Sequence, residues 1–168
     1  PPVHLHEPKL NNTDIKILKK CINSGYISSN GQFINKFEKK LCSITKSKYS
    51  VALVNGTSAL HLALRVIGVK ENEEVLLPSL NFIAAANAIL YCRAIPHFIE
   101  IDDKTLFIDE LKLKKYLDKI VFKKNNYSLN KKTGRIIKAA MPIHTFGHTG
   151  NIIEVKNILK FYNIKIIE

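Results

Sequence analysis

The sequence predicts an α/β fold in which a mostly parallel sheet lies between helices that cover both of its faces. Short apolar runs typical of buried strands alternate along the chain with segments whose apolar residues have helical spacing. Neighbouring parallel strands need a crossover helix between them, so this alternation favours a parallel sheet over a set of hairpins. A length of 168 residues is sufficient for one domain with a hydrophobic core.

The predicted elements follow in a regular order. Two amphipathic helices come first, one beginning at residues 12–14 and ending at Gly25, the other over residues 33–44. Strands are predicted at residues 51–54, 75–78, 95–101, 136–143 and from 164 onwards, with helices at 57–67, 82–91, 109–120 and 152–162. The polar residues 123–135 predict a surface loop or hairpin.

This order predicts two regions, an N-terminal helical segment at residues 1–45 and a sheet domain at residues 46–168. The final residues, up to Glu168, read as an apolar strand of a parallel sheet. A buried strand is an unusual place for a domain to stop. We therefore expect that the sheet domain is C-terminally truncated and continues beyond this residue.

The turn between the first predicted strand and its helix is the strongest candidate for a binding site. Asn55 and Gly56 predict a sharp turn, so Thr57 and Ser58 lie in the first helical turn. Unpaired N–H groups and the helix dipole favour an anion such as phosphate there. The same pattern, taken alone, is more typical of an ordinary capped helix start in which Asn-Gly permits a positive φ.

Polar or glycine-containing segments follow the other predicted strands as well. They lie at residues 78–82, at Asp102 and at residues 144–150. Ligands of parallel sheets collect outside the carboxyl ends of the strands, so we expect these segments to converge with residues 55–58 on one crevice. His144 and His148 lack the helical context of a zinc-binding pair, and no metal site is predicted.

Composition argues against several classes of partner. The formal charge of +12 comes almost entirely from lysine spread over several segments, and no base-reading motif accompanies it, so no nucleic-acid partner is predicted. No apolar run approaches the ~20 residues of a membrane span, which argues against a membrane partner. Cys21, Cys42 and Cys92 are odd in number and lie in apolar segments, as expected for reduced thiols of a cytoplasmic protein.

Several segments in their order and spacing resemble the DegT/StrS-type sugar aminotransferases, pyridoxal-phosphate enzymes of fold type I, the aspartate-aminotransferase-like fold. The matching segments are residues 6–8, 24–31, 37–38, 54–64, 74–79, 82–88 and 142–147. Residues 130–135 (Asn-Lys-Lys-Thr-Gly-Arg) and 144–148 (His-Thr-Phe-Gly-His) look more like the branch that makes 4-amino sugars for legionaminic-acid-type or bacillosamine-type products.

The resemblance implies a set of cofactor-binding residues. Gly56, Thr57 and Ser58 match the cup that holds the phosphate of pyridoxal phosphate, and Phe82 matches the aromatic residue that stacks on its pyridine ring. His144 matches a residue near the cofactor, to which we assign a positioning role. Phe82 also fits an ordinary core aromatic, and His144 also fits a loop histidine bonded to the backbone.

The resemblance also implies substrate-binding residues. Tyr26, Ile27 and Ser28 belong to the loop that resembles the lining of a nucleotide-sugar pocket. Asn81 stands where the family usually has threonine, a change that could alter a cofactor or substrate hydrogen bond. The implied pyridinium-binding aspartate and the Schiff-base lysine both lie beyond Glu168, so no catalytic residue is nominated and we expect the chain by itself to be inactive.

The implied activity is transfer of an amino group, with glutamate as the expected donor, to a nucleotide-linked 4-keto-6-deoxy sugar in surface polysaccharide biosynthesis. Family resemblance also implies a cytoplasmic homodimer whose partner subunit completes each site. Three alternatives stay open: a dehydratase of the same fold with histidine in place of the lysine, a nucleotide-sugar-binding protein without catalysis, and a Rossmann-type oxidoreductase. The last lacks its expected Gly-x-Gly-x-x-Gly after the first strand.

Overall fold

The computed structural model describes residues 7–168. His6, part of the matching segment at residues 6–8, lies outside the described residues. The chain divides into two compact units, with the boundary between Ala52 and Leu53.

The N-terminal unit contains two amphipathic helices, α1 (Asn12–Asn23) and α2 (Gln32–Thr45). Helix α1 begins with a capping box, in which the Asn11 side chain accepts hydrogen bonds from the amides of Thr13 and Asp14, and the Asp14 carboxylate accepts one from the Asn11 amide. The predicted start at residues 12–14 is confirmed, with the cap one residue earlier. Neither helix buries a residue completely.

The second unit contains the sheet, its covering helices and one hairpin. Its elements are α3 (Gly56–Val66), β1 (Glu74–Pro78), α4 (Ile83–Tyr91), β2 (Ile95–Ile99), α5 (Glu110–Ile120), β3 (Val121–Lys124), β4 (Tyr127–Asn130), β5 (Ile137–Ala140), α6 (Ile152–Phe161) and β6 (Lys165–Ile166). A short 3₁₀ turn, Thr145–Gly147, lies between β5 and α6.

The main sheet has the strand order β2-β1-β5-β6, and every pairing in it is parallel. Side chains alternate across the sheet, so Val75 and Leu77 of β1 enter one core and Leu76 enters the other. The first core also contains Leu64 of α3 and residues of α4. The second contains Leu117 of α5 and residues of α6. The predicted parallel sheet between helices is confirmed.

The prediction of a strand at residues 51–54 is wrong. The segment has no β-structure, and Val51 and Val54 are 70% and 87% exposed. A strand needs a hydrogen-bonded neighbour, and no described residue pairs with this segment. The positive φ that an Asn-Gly pair permits is not adopted here: Asn55 has an extended backbone (φ −161°) and Gly56 does not have a positive φ.

The polar stretch after α5 forms the hairpin β3–β4, one of the two predicted possibilities. Asn125 and Asn126, at its two-residue turn, both have a positive φ, as a type I′ turn requires. Nothing in the described part of the chain is both long enough and apolar enough for a helix that crosses a bilayer.

Candidate functional site

The start of helix α3 presents unpaired hydrogen-bond donors. Asn55 is the N-cap, and its Oδ1 accepts a hydrogen bond of 2.8 Å from the Ser58 amide. Within residues 7–168, the amides of Gly56 and Thr57 have no hydrogen-bond acceptor, and neither do the hydroxyls of Thr57 and Ser58. The positive end of the helix dipole adds to these donors, so this turn can bind a phosphate group.

Helix α4 begins with an aromatic side chain open to solvent. Phe82 occupies the N-cap position with an extended backbone, and its side chain is 78% exposed. It is therefore not an ordinary core aromatic of this unit. The preceding Asn81 is half-buried, and its amide nitrogen donates a 2.8 Å hydrogen bond to the Pro78 carbonyl, which fixes the β1–α4 loop.

The topology places the starts of α3 and α4 at the same edge of the sheet. Helix α4 leaves the carboxyl end of β1 and returns to the amino end of β2. Helix α3 also ends at the amino-terminal edge, where the Asn72 amide after α3 donates a 3.0 Å hydrogen bond to the Arg93 carbonyl after α4. Both helices pack on one face, so both begin near the carboxyl edge, which brings Gly56, Thr57 and Phe82 to that edge.

His144 lies at this edge as well, after the end of β5. Its Nε2 is 2.9 Å from an Oε of Glu168, which follows the neighbouring strand β6. The imidazole stacks on Phe107 with 5.4 Å between ring centroids and an interplanar angle of 8°. A Cβ at Gly150 would overlap the Phe107 ring, so only glycine fits there. Neither ring nitrogen of His144 bonds to the backbone of a described residue, and Nδ1 is buried without a partner.

The three substrate candidates Tyr26, Ile27 and Ser28 lie in the N-terminal unit, in the loop between α1 and α2. All three are exposed. The Tyr26 carbonyl accepts a 3.5 Å hydrogen bond from the Cys21 thiol, and a Cβ at Gly31, whose φ is +146°, would lie 2.9 Å from the Tyr26 Cβ. The contacts of Tyr26 with Cys21 and Gly31 thus help to fix the conformation of this loop.

Asp102, expected at the same crevice, has a local role in its own turn. Its Oδ1 accepts hydrogen bonds from the amides of Thr105 at 2.7 Å and Lys104 at 3.1 Å. These bonds, that of Thr105 first, lower the pKa of the Asp102 carboxyl. Asp102 therefore stabilises its own turn.

Sequence reasoning missed a buried polar cluster at the opposite, amino-terminal edge of the sheet. Glu74 is only 2% exposed, and its two oxygens contact His97 Nδ1 at 2.7 Å, Asn130 Nδ2 at 2.9 Å and Thr133 Oγ1 at 2.6 Å. The other nitrogen of His97 is 2.8 Å from the Tyr116 hydroxyl. We call these residues the Glu74 cluster. They come from four separate segments, so the only signal in the sequence was an acid at the start of a buried strand.

Electrostatics shows that the Glu74 carboxylate is stabilised in its charged form. Burial by itself raises the pKa of Glu74, but the hydrogen bonds from His97, Asn130 and Thr133 and the charge of His97 lower it to about 2. Two donors of the cluster belong to residues 130–135, the segment that resembles the 4-amino-sugar branch. Their side chains bind Glu74 and therefore hold the β3–β4 hairpin against the sheet.

Comparison with known proteins agrees with this geometry. Residues 8–168 match the profile of the DegT/DnrJ/EryC1/StrS aminotransferase family. The chain belongs to this family. A GDP-perosamine synthase from Vibrio cholerae is 31% identical over 166 residues, which are 99% of this chain and 41% of that protein. The chain thus spans about two fifths of the length of the curated relatives that it matches first.

Solved structures have the same fold, and one of them is a member of the DegT/DnrJ/EryC1/StrS family. A family aminotransferase from Brucella abortus superimposes with a TM-score of 0.79 at 25% identity, over 92% of this chain and 39% of that one. NtdA from Bacillus subtilis, solved with bound cofactor PMP, gives a TM-score of 0.78 at 23% identity, over 95% of this chain and 34% of that one. Pyridoxal phosphate, of which PMP is the aminated form, is the cofactor of this family.

The residues present in this chain fit that cofactor. A phosphate needs several donors in one place, and the first turn of α3 supplies two free amides and the hydroxyls of Thr57 and Ser58. A Cβ at Gly56 would meet no atom within 4 Å, so there is open space beside the free amides. An aromatic ring needs a stacking partner, and Phe82 is exposed at the same edge.

Proposed function

We propose that this chain supplies the cofactor-binding and part of the substrate-binding surface of a pyridoxal-phosphate-dependent sugar aminotransferase. The observation that carries the proposal is the set of free donors at the start of α3 at the same sheet edge as the exposed ring of Phe82. In a member of an aminotransferase family, the donors suit the phosphate of pyridoxal phosphate and the exposed ring suits its pyridine ring. Residues 1–45 serve as an N-terminal helical segment and residues 46–168 as part of the cofactor-binding domain.

Each side chain at the edge has a defined task. The amides of Gly56 and Thr57 and the hydroxyls of Thr57 and Ser58 bind the cofactor phosphate, while Phe82 holds the ring by stacking on one face. His144 has a positioning role, in which its contact with Glu168 holds the residue that follows β6. When bound, pyridoxal phosphate supplies the electron sink that amino transfer requires.

The proposed substrates are a nucleotide-linked 4-keto-6-deoxy sugar and an amino-acid donor such as glutamate. Support comes from the relatives' names, of which GDP-perosamine synthase denotes a nucleotide amino sugar. Tyr26, Ile27 and Ser28 are the proposed sugar-nucleotide contacts, because all three are exposed on one loop. Asn81 remains a candidate substrate-binding residue through its side-chain oxygen. Its side-chain nitrogen already donates a hydrogen bond to the Pro78 carbonyl.

The narrower proposal of a legionaminic-acid-type or bacillosamine-type product has less support. Of the two segments that suggested it, residues 130–135 contain Asn130 and Thr133, which bind Glu74 at the opposite edge of the sheet. These two side chains therefore stabilise the fold by binding Glu74. The proposal of this product class depends on residues 144–148, where His144 is the residue at the cofactor edge.

A binding experiment tests the phosphate cup without requiring any covalent step. Pyridoxamine phosphate is titrated into the protein expressed from its gene, and binding is followed by calorimetry. The paired substitutions Thr57→Val and Ser58→Ala remove two hydroxyl donors to a charged phosphate. They should weaken binding roughly 100-fold or more, since each hydrogen bond to a charged group contributes about 1.5–3 kcal/mol.

The matched control replaces Thr45 with valine and Ser47 with alanine, an exposed pair in the N-terminal unit whose hydroxyls bond to each other at 2.8 Å. The control should bind pyridoxamine phosphate as the unaltered protein does. Equal affinity of all three proteins, or no binding at all, would contradict the proposed cup. Phe82→Ala should weaken binding by roughly a further 10-fold, as expected for loss of ring stacking.

Product analysis then separates the reactions that share this fold. With pyridoxal phosphate, glutamate and a nucleotide-linked 4-keto-6-deoxy sugar, an aminotransferase yields an amino sugar and 2-oxoglutarate. A dehydratase removes a further hydroxyl group from the sugar as water and yields no amino sugar, and a binding protein leaves the sugar unchanged. Light scattering on the same sample tests the proposed homodimer, and cell fractionation tests the proposed cytoplasmic location.

A further inference from the structure

The segment that follows β5 is held in an unfavourable arrangement. Within residues 7–168, His144 Nδ1 and Thr145 Oγ1 are both buried without a hydrogen-bond partner, and a buried polar atom of this kind costs free energy. Phe146 has a φ of +54°, in the left-handed region that disfavours residues with a side chain. Contacts with other parts of the chain must offset these costs for the segment to keep its conformation.

Phe107, in the loop between β2 and α5, supplies such a contact. Its side chain is only 1% exposed, and its ring stacks on the His144 imidazole with 5.4 Å between the centroids and 8° between the planes. A Cβ at Gly150 would lie 2.2–2.6 Å from atoms of the Phe107 side chain. The chain thus passes close to Phe107 both at His144 and at Gly150, and glycine leaves the room that the phenyl ring needs.

The position of Phe107 is set by its own loop. The Asp102 amide donates a 2.9 Å hydrogen bond to the Phe107 carbonyl, and the Phe107 amide donates one of 3.4 Å to the Thr105 hydroxyl. Ile101 and Ile108 form an antiparallel bridge in the same loop. None of these contacts involves the imidazole, so the loop fixes the phenyl ring independently of it.

The stack constrains the plane of the imidazole, and the Glu168 carboxylate determines which ring nitrogen carries the proton. An ionised carboxylate only accepts hydrogen bonds, so Nε2, which lies 2.9 Å from it, is the donor. A neutral imidazole has one N–H, which leaves Nδ1 of His144 without a proton. Rotation of the ring out of the stacked plane would move Nε2 away from the carboxylate.

We propose that Phe107 is a positioning residue of the cofactor edge, which fixes the plane of the His144 ring and thereby keeps Nε2–H on the Glu168 carboxylate. The purpose of this arrangement rests on the proposed function. A side chain that is already ordered at this edge loses less conformational freedom when the cofactor binds. Gly150 provides the space in which the phenyl ring lies.

The first measurement needs no cofactor. The protein expressed from its gene is labelled with ¹⁵N in its histidine rings, and NMR at about pH 8, above the ordinary pKa of histidine, shows which ring nitrogen carries the proton. The signals of His144 are identified by their absence in H144Q. The unaltered protein should show only the Nε2–H form. F107L keeps apolar volume but loses the aromatic face, and it should show a mixture of the Nε2–H and Nδ1–H forms.

The second measurement is the calorimetric affinity for pyridoxamine phosphate. F107L should raise the Kd roughly 2- to 10-fold, the change expected when one further side chain must be immobilised on binding. The matched control is Ile137→Val, which shortens another side chain of the same core, 1% exposed, at the amino end of β5 and away from His144. The control should keep the Nε2–H form and leave the Kd unchanged.

Several results would overturn the proposal. A mixture of forms, or Nδ1–H alone, in the unaltered protein would do so without any variant. An unchanged protonation form or an unchanged Kd in F107L would do so as well, and so would equal changes in F107L and the Ile137→Val control. Absence of pyridoxamine phosphate binding in every protein would instead refute the proposed function, and the NMR comparison would still decide whether Phe107 positions His144.

Discussion

Replacing Glu74 with glutamine removes a buried charge around which three donors are arranged. Its carboxylate accepts hydrogen bonds from His97, Asn130 and Thr133, which lie on β2, at the end of β4 and in the following turn. A glutamine has one acceptor oxygen, and its NH₂ group would face donors. At least one buried polar group then loses its partner, at a cost of about 1–3 kcal/mol.

The direction in which the same hydrogen bonds shift the pKa of Glu74 gives a second way to express their effect. A decrease from 4.5 to about 2 means that folding favours the charged form by about 3 kcal/mol, at 1.36 kcal/mol per unit. We therefore expect E74Q to lower the free energy of unfolding at pH 7 by about 2–4 kcal/mol. Urea unfolding followed by circular dichroism measures this change.

The pH dependence gives the sharper test. Because the folded-state pKa of Glu74 is below that of the unfolded chain, its stabilisation is complete above about pH 4.5 and is lost as the pH falls towards 2. The difference in stability between the unaltered protein and E74Q should therefore shrink over that interval. Other carboxyl groups titrate alike in both proteins and cancel.

A matched control is Glu71→Gln, because Glu71 is exposed and forms a 3.6 Å ion pair with the exposed Arg93. That change should cost less than about 1 kcal/mol. The reasoning would be refuted if E74Q were as stable as the unaltered protein at pH 7. A difference that stayed constant from pH 7 to pH 3 would refute the electrostatic part of it.

Three further changes test separate features of the fold. Gly150→Ala should lower the melting temperature and cost about 1–3 kcal/mol, because the new methyl group overlaps the buried Phe107 ring. Asn55→Ala should cost about 1 kcal/mol in urea unfolding, since it removes the N-cap of α3. Burial, together with a hydrogen bond to Asp118, raises the pKa of Tyr162 to about 12, so the neutral phenol stabilises the fold up to about pH 10 and this stabilisation is lost as the pH rises towards 12. Tyr162→Phe should remove that part of the alkaline dependence.

The outcomes that would contradict these predictions are equally specific. Unchanged melting of G150A would show that the Phe107 ring can move aside at no cost. Stability of N55A equal to that of the unaltered protein would show that the Asn55 side chain contributes nothing to α3. Identical alkaline unfolding of Y162F and the unaltered protein would mean that another group titrates there.

Local pattern was sufficient for most elements of the fold. The strand at residues 75–78 and the helix at residues 82–91 are found as β1 and α4, because apolar runs and helical spacing reflect burial that these elements share with any α/β protein. Residues 51–54 show where this reasoning fails. Their composition suits a strand, but a strand exists only where another backbone supplies hydrogen bonds, and that is a tertiary property.

The functional residues likewise include some that the sequence predicted and some that it did not. Thr57 and Ser58 were predicted from the pattern of a helix start, which neighbours in the chain determine, and Phe82 from the resemblance to the family. The Glu74 cluster was not predicted. The three residues that donate to Glu74 are separated from it by 23, 56 and 59 residues, and no local pattern indicates which donors will meet a buried acid.

The sequence by itself determined the α/β class, the order of helices and strands, and the family to which the chain belongs, because each depends on residue types at short spacing. Tertiary structure alone decided which distant groups lie in one place: the free amides of α3 and the ring of Phe82 at one edge of the sheet, and the donors around Glu74 at the other. Hydrogen bonds and charges act over a few ångströms. Only the folded chain brings residues from different segments within that distance.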